Sequence, residues 1–360
     1  MKKLLSFLFT LFILAGISIF GYFNKTFVLR QANKVRAFYY VNKGDEAYQN
    51  LDMIKAIKNY NIALKYYPEH YEAWYNLGNI YVAFEDYSLA NYAYEKSFTY
   101  NPNMMMARIN YGIIASEKLG NFDAAIEQYD KTIKSNRILL TIPYIFDNKI
   151  STSQNKAIAY YNRGVTYRMK ALYQDNNNSK LRYKYTDKAI QSYIKSIEIE
   201  PNSYDAQFNL GTLYQISGNI EKARKCYCNA ISIEPFSYEA HYNLAILLKN
   251  SRHYKQAYEE MDKAITLITA LDNNNGFQEF AIKNFNKIST SMASEITNKE
   301  QLALILQTEK RELQNKLKNE IDEDDKLTVS YLKKGKIVLS DEELYSSMKT
   351  TFKQCPVIDK

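Results

Sequence analysis

Six asparagines recur at matching places along the chain: Asn42, Asn76, Asn110, Asn162, Asn209 and Asn243. A carboxamide carries both a donor and an acceptor. A row of them can therefore pair with a peptide backbone, whatever side chains that peptide bears. The preceding residue is aromatic in four of the six cases: Tyr75, Tyr161, Phe208 and Tyr242. Rigid rings supply contact area at low entropic cost. Together the two positions read as a groove for an extended peptide segment. The competing reading is architectural, with the asparagines bracing helix pairs and the rings serving as ordinary packing.

Residues for other chemistry are lacking. His70, His241 and His253 are scattered, and no HExxH, GxSxG or phosphate-loop pattern occurs. The sequence predicts no catalytic group, no metal site and no cofactor, and hence no enzyme. Cys226 and Cys228 lie two apart on an expected helix, point to different sides and cannot pair with each other. With Cys355 they form an odd, sparse set, which gives no disulfide framework and no zinc spacing. The three are expected to be small fillers.

A repeat must hold the asparagines in line. Gly44, Gly78 and Gly112 stand 34 residues apart, and Gly211 is followed 34 residues later by Ala245. Pro68 and Pro102 keep the same interval, as do Pro201 and Pro235. A period of 34 implies one helix–turn–helix unit that needs its neighbours to bury its apolar face. The second unit is the clearest. Trp74, Leu77 and Tyr81 share one face of a first helix, and Gly78 and Ala90 are small where two helices cross. Tyr94 follows, and Pro102 ends the second helix.

These slots resemble the tetratricopeptide repeat. The resemblance implies an all-α fold, a right-handed α-solenoid or superhelix, and a binding or scaffolding role. Six repeats are expected over 37–270: 37–70, 71–104, 105–139, 157–203, 204–237 and 238–270. The third has one extra turn residue near Gly120. A connector of about 17 residues around 140–156 precedes the fourth, which holds 13 extra residues at 173–185, expected to include a polar turn. Two helices over 277–321 are expected to follow, the first as the cap that a terminal repeat needs. A partly disordered tail is expected over 322–360.

In the family, the first helices line the concave side, which is where the six asparagines and four aromatics would lie. That row resembles the asparagine ladder in the tetratricopeptide arm of O-linked N-acetylglucosamine transferases, although no glycosyltransferase domain accompanies it. A second family mode grips C-terminal carboxylates with cations at set slots. Here Tyr75, Ile158 and Asn162 occupy those slots, so that mode is excluded.

Residues 4–23 carry no charge and follow Lys2 and Lys3. Twenty helical residues span about 30 Å, the thickness of a bilayer core. An N-terminal hydrophobic helix is expected over 1–24, either as a transmembrane anchor or as a cleaved signal peptide with Gly16-Ile17-Ser18 at the cleavage site. Flanking cations nearly balance, with Lys25, Arg30, Lys34 and Arg36 on the far side. The array is expected outside the cytoplasm, held to the membrane. The alternatives are export after cleavage and a position on the cytoplasmic face. Net charge is +8, from 47 Lys+Arg against 39 Asp+Glu, with both signs interspersed. Without a long basic run, no nucleic-acid partner is expected. The expected partner is a protein or peptide. The alternative is an oligomeric assembly or secretion scaffold that works through its convex face and C-terminal helices.

Overall fold

A computed structural model describes residues 2–135, 146–173, 179–273, 299–317 and 353–356. Every element among the described residues is a helix. In chain order they are α1 (Lys2–Gln49), α2 (Met53–Tyr66), α3 (Tyr71–Ala83), α4 (Tyr87–Tyr100), α5 (Met105–Glu117) and α6 (Phe122–Lys134). Then come α7 (Phe146–Leu172), α8 (Ser179–Ile199), α9 (Tyr204–Ile216), α10 (Ile220–Ile233), α11 (Tyr238–Asn250), α12 (Tyr254–Asn273) and α13 (Lys299–Lys316). The chain forms two compact units, Met1–Thr166 and Tyr167–Lys360. Within each, consecutive helices pack as pairs and the pairs stack in order. This is the arrangement of an α-solenoid.

Local chemistry sets the helix ends. Asp52 and Asp86, 34 residues apart, cap α2 and α4 by accepting from the backbone N–H three residues on. Asn121 and Asn219 do the same for α6 and α10, and Ser203 and Ser237 for α9 and α11. Each such cap satisfies a backbone donor that the first turn leaves free. Between the paired helices the chain turns through a left-handed residue: Leu51, Glu85, Gly120, Gly218 or Arg252.

Packing explains the repeat glycines. A Cβ on Gly78 would stand 2.5 Å from the Tyr94 ring, and Gly44 and Gly112 meet Tyr60 and Tyr129 in the same way. The second-helix tyrosine lies directly on the first helix, so nothing larger than hydrogen fits. In the sixth repeat, Ala245 occupies the glycine slot and Met261 the tyrosine slot, both fully buried.

Three features add to the sequence expectations. A hydrophobic leader ending at 24 and a first repeat starting at 37 are one uninterrupted helix, α1. Residues 24–36 contain no Gly or Pro to break it. The connector at 140–156 is helical from Phe146, since α7 begins there; residues 140–145 lie outside the described residues. The insertion at 173–185 mostly lengthens α8, which starts at Ser179; the Asn-rich turn at 174–178 lies outside the described residues.

At the C-terminal end α13 packs on α12, with Leu306, Leu313 and Leu317 buried in the core of repeat six. Lys249 of α11 pairs with Glu309 and Glu312, and Lys310 pairs with Asp262. α13 thus covers the end of repeat six; the helix expected over 277–298 lies outside the described residues, as does most of the expected tail. Cys228 of α10 is disulfide-bonded to Cys355, with their Cα atoms 5.4 Å apart. This corrects the expectation of three filler cysteines, and only Cys226 remains a free, buried thiol. Among the described residues no helix is long and apolar enough to cross a membrane. Many side chains of residues 2–23 lie outside those described. No group of three or more metal-ligating side chains occurs among the described residues.

Candidate peptide-binding face

All ten candidate residues lie on first helices of the repeats, six of them in the first unit and four in the second. In the first unit, Asn76 and Asn110 join a polar network that repeats with the chain. Tyr60 donates to Asp45 at 2.6 Å, and the Asn76 amide donates to Asp45 at 3.0 Å and to the Tyr60 hydroxyl at 3.3 Å. One repeat on, Tyr94 donates to Asn79 at 2.8 Å. The Asn110 amide lies 3.5 Å from Asn79, from the Tyr94 hydroxyl and from the Tyr75 hydroxyl. Each asparagine therefore reaches back to the preceding repeat, to its second-helix tyrosine and to the residue after its glycine. Burial raises the phenol pKa of Tyr60 and Tyr94, Asp45 adds to the effect at Tyr60, and both stay neutral donors.

The bracing function is thus met by the amide N–H groups. The carboxamide oxygens of Asn76 and Asn110 have no intrachain donor among the described residues. Neither oxygen is among the buried groups left without a partner, so both reach solvent. A face of this kind offers acceptors to a ligand backbone, and Tyr75 adds a half-buried ring against Tyr94 at 5.9 Å.

The other candidates sit differently. Asn42 is exposed, having no preceding repeat to reach. Asn162 is buried and donates to the Ile158 carbonyl one turn back, at 2.9 Å. Asn209 donates to the Asp205 carbonyl at 2.9 Å and accepts from Arg168 at 3.0 Å. Asn243 is half-buried; in its neighbourhood Tyr227 donates to Gln215 at 2.6 Å, and that bond does not reach Asn243. The reason is local: repeat five offers Thr212 and Gln215 to its own tyrosine. Tyr161 and Tyr242 are half-buried, and Phe208 stacks on Tyr204 at 5.7 Å. Burial and the nearby Glu309 of α13 raise the Tyr242 phenol pKa, so the cap helix lies beside that end of the face.

Asp45, Asn79, Tyr60 and Tyr94 belong to the site, although the asparagine row alone does not point to them. The signal was present: Asp45 and Asn79 stand one period apart, immediately after Gly44 and Gly78.

Within repeat six lies a second cluster, built on the buried His241 and Glu260. His241 Nδ1 is 2.6 Å from Glu260, and its Nε2 is 3.0 Å from the Pro235 carbonyl. Lys263 donates to Glu260 at 2.7 Å. Burial alone would raise the Glu260 carboxyl, but His241 and Lys263 outweigh it and hold the group below the usual carboxylate range.

Three tetratricopeptide repeat family models match the chain, at residues 41–102, 192–225 and 238–270. The TPR repeat-containing protein MJ1428 of Methanocaldococcus jannaschii is 24% identical over 244 residues, covering 57% of this chain and 42% of that protein. The chain thus spans less than half the length of this curated relative. Among solved structures, that of MamA is 23% identical with a TM-score of 0.42, covering 55% of this chain and 92% of MamA. Pseudomonas aeruginosa pilF is 15% identical with a TM-score of 0.48, covering 70% of this chain and 99% of that chain. With helix pairs stacked there and tyrosines seated on the period glycines, the matched segments are tetratricopeptide repeats.

Proposed function

We propose that this chain is a membrane-anchored scaffold that holds an extended segment of a partner protein along the first helices of its repeats. The observation that carries this reading is the pair of carboxamide oxygens on Asn76 and Asn110, which have no intrachain donor among the described residues, beside the half-buried Tyr75 ring. They accept from a backbone without selecting side chains, while their amide groups fix them in place. The test is photo-crosslinking from single positions in the intact chain. Tyr75 and Phe208 report on the first-helix face, and exposed Asn61 and Lys225 report on the second helices. Capture of one partner from Tyr75 and Phe208 supports the reading; capture only from Asn61 or Lys225 overturns it. Deletion of the C-terminal helices is a poor discriminator, because α13 buries three leucines in repeat six and its loss would disturb the array itself.

Anchoring rests on the uncharged stretch at 4–23, and the exposed Ile13, Leu14, Ile19 and Tyr22 side chains there fit a lipid environment. The Cys228–Cys355 bond bears on the side of the membrane, since such bonds persist in oxidising compartments. It supports an array outside the cytoplasm. Peptide mapping of the chain, alkylated in its own cells before lysis, checks this. A linked Cys228–Cys355 peptide is expected, and free thiols at both positions would place the array on the cytoplasmic face. Release of the intact chain from membranes by alkaline carbonate would remove the anchor.

A further inference from the structure

We propose that the tip of the fourth helix pair, residues 168–173 and 179–188, docks on an anionic lipid surface. Repeat four carries extra residues, and those from Ser179 onward belong to α8. Among the described residues from 167 to 188, six are cations: Arg168, Lys170, Lys180, Arg182, Lys184 and Lys188. Asp187 is the one acid among them. Lys180, Arg182 and Lys184 are exposed, and no ion pair among the described residues holds them. Two of these cations, Lys180 and Arg182, fall in the first turn of α8, where no acid is present and the helix dipole disfavours positive charge. Local stability does not explain cations there; an external anion does.

The tip is rigid. Tyr167 of α7 and Tyr185 of α8 stack at 6.2 Å with their planes 19° apart. Lys188 lies over the Tyr167 ring at 5.2 Å, and Lys170 over the Tyr185 ring at 5.0 Å. Two cations thus flank one aromatic pair and are fixed in position.

Lipid is the occupant these residues fit. Leu172, Tyr173 and Tyr183 are 64%, 74% and 76% exposed beside the cations. An aliphatic side chain and phenols at the headgroup level, with lysine and arginine reaching to phosphate, is the composition of an interfacial contact. On α8, Lys180 and Lys184 share a face, whereas Arg182 points away from it. Charge spread over more than one side of a helix meets a plane of headgroups better than a single acidic strand. The inference deepens the membrane reading and is separable from it, since a helix inserted through 4–23 holds on in high salt and a surface contact does not.

The experiment uses the full chain with an environment-sensitive dye at Tyr183→Cys. Cys226 is buried and Cys228 is bonded to Cys355, so the dye goes to the new position. Vesicles of phosphatidylcholine are compared with vesicles of equal parts phosphatidylcholine and phosphatidylglycerol. The expected result is a blue shift on the anionic vesicles alone, reversed by salt. In K180E/R182E/K184E, tip contact falls by about a hundredfold or more, at roughly tenfold for each 1.4 kcal/mol lost. K180Q/R182Q/K184Q loses less, in the same direction. Absence of a shift, an equal shift on neutral vesicles, or indifference to both variants overturns the proposal. So does a shift produced by duplex DNA or polyglutamate but not by anionic vesicles. Failure to float with neutral vesicles in high salt sinks the anchor alone, and the dye on anionic vesicles still decides the tip.

Discussion

A tyrosine ring seated on a glycine is the smallest unit from which this array is built, and it makes a firm demand. At Gly78 a methyl group would come within 2.5 Å of Tyr94. Gly78→Ala is expected to lower stability by about 1–3 kcal/mol through overpacking. Repeat six shows the relief, because Ala245 there faces the Met261 slot, and methionine adapts. Tyr94→Met should therefore recover part of the loss in the double variant. Simple additivity of the two changes in denaturant melts would disprove the pairing. Glu260 makes a second residue-level prediction. Its folded carboxyl titrates below the free value of 4.5. Its stabilising contribution is therefore present above that value and is lost as pH falls through the lower folded value. Glu260→Gln is expected to cost about 3–5 kcal/mol at neutral pH and to flatten the acid loss of stability. Equal pH dependence of the two proteins between pH 7 and 3 would refute the assignment.

Among the elements, the turns within repeats are where sequence and geometry pull apart. Glu85 holds a left-handed backbone with φ of 59°, a conformation that Gly120 and Gly218 adopt without a Cβ penalty. Glu85→Gly is expected to gain about 1 kcal/mol from relieved strain, less the entropy of a freer unfolded chain. A fall in the melting temperature would show that the Glu85 side chain matters more than its backbone. The helices themselves were legible because glycines, prolines and alanines recur at 34 residues, and that interval admits few other folds. The asparagine row was legible for the same reason. What its amides bond to was not, because Asp45 and Tyr60 meet Asn76 only after three helices have packed. The leader expected over 1–24 and the repeat expected from 37 share one helix, because nothing in 24–36 stops it. In repeat four the asparagines mark an expected polar turn, and the lysines, arginines and tyrosines that follow from Ser179 belong to α8.

For the molecule as a whole, the covalent link between Cys228 and Cys355 closes 127 residues of chain. No local pattern announces a pairing at that separation, since neither cysteine has a neighbour that marks it. Loop closure on this scale predicts that Cys355→Ser lowers the stability of the second unit by about 2–5 kcal/mol. Matching melts of the parent chain with and without reductant would contradict it. At the other end, α1 runs from Lys2 to Gln49 without a hinge, a rod about 72 Å long. A tilt at its first turns is passed along one helix to Tyr60 and the opening repeat. The chain has no swivel there, so the leader's heading becomes the heading of the repeat that begins the array. A short glycine spacer placed after Arg30 would turn that stiff mast into a tether.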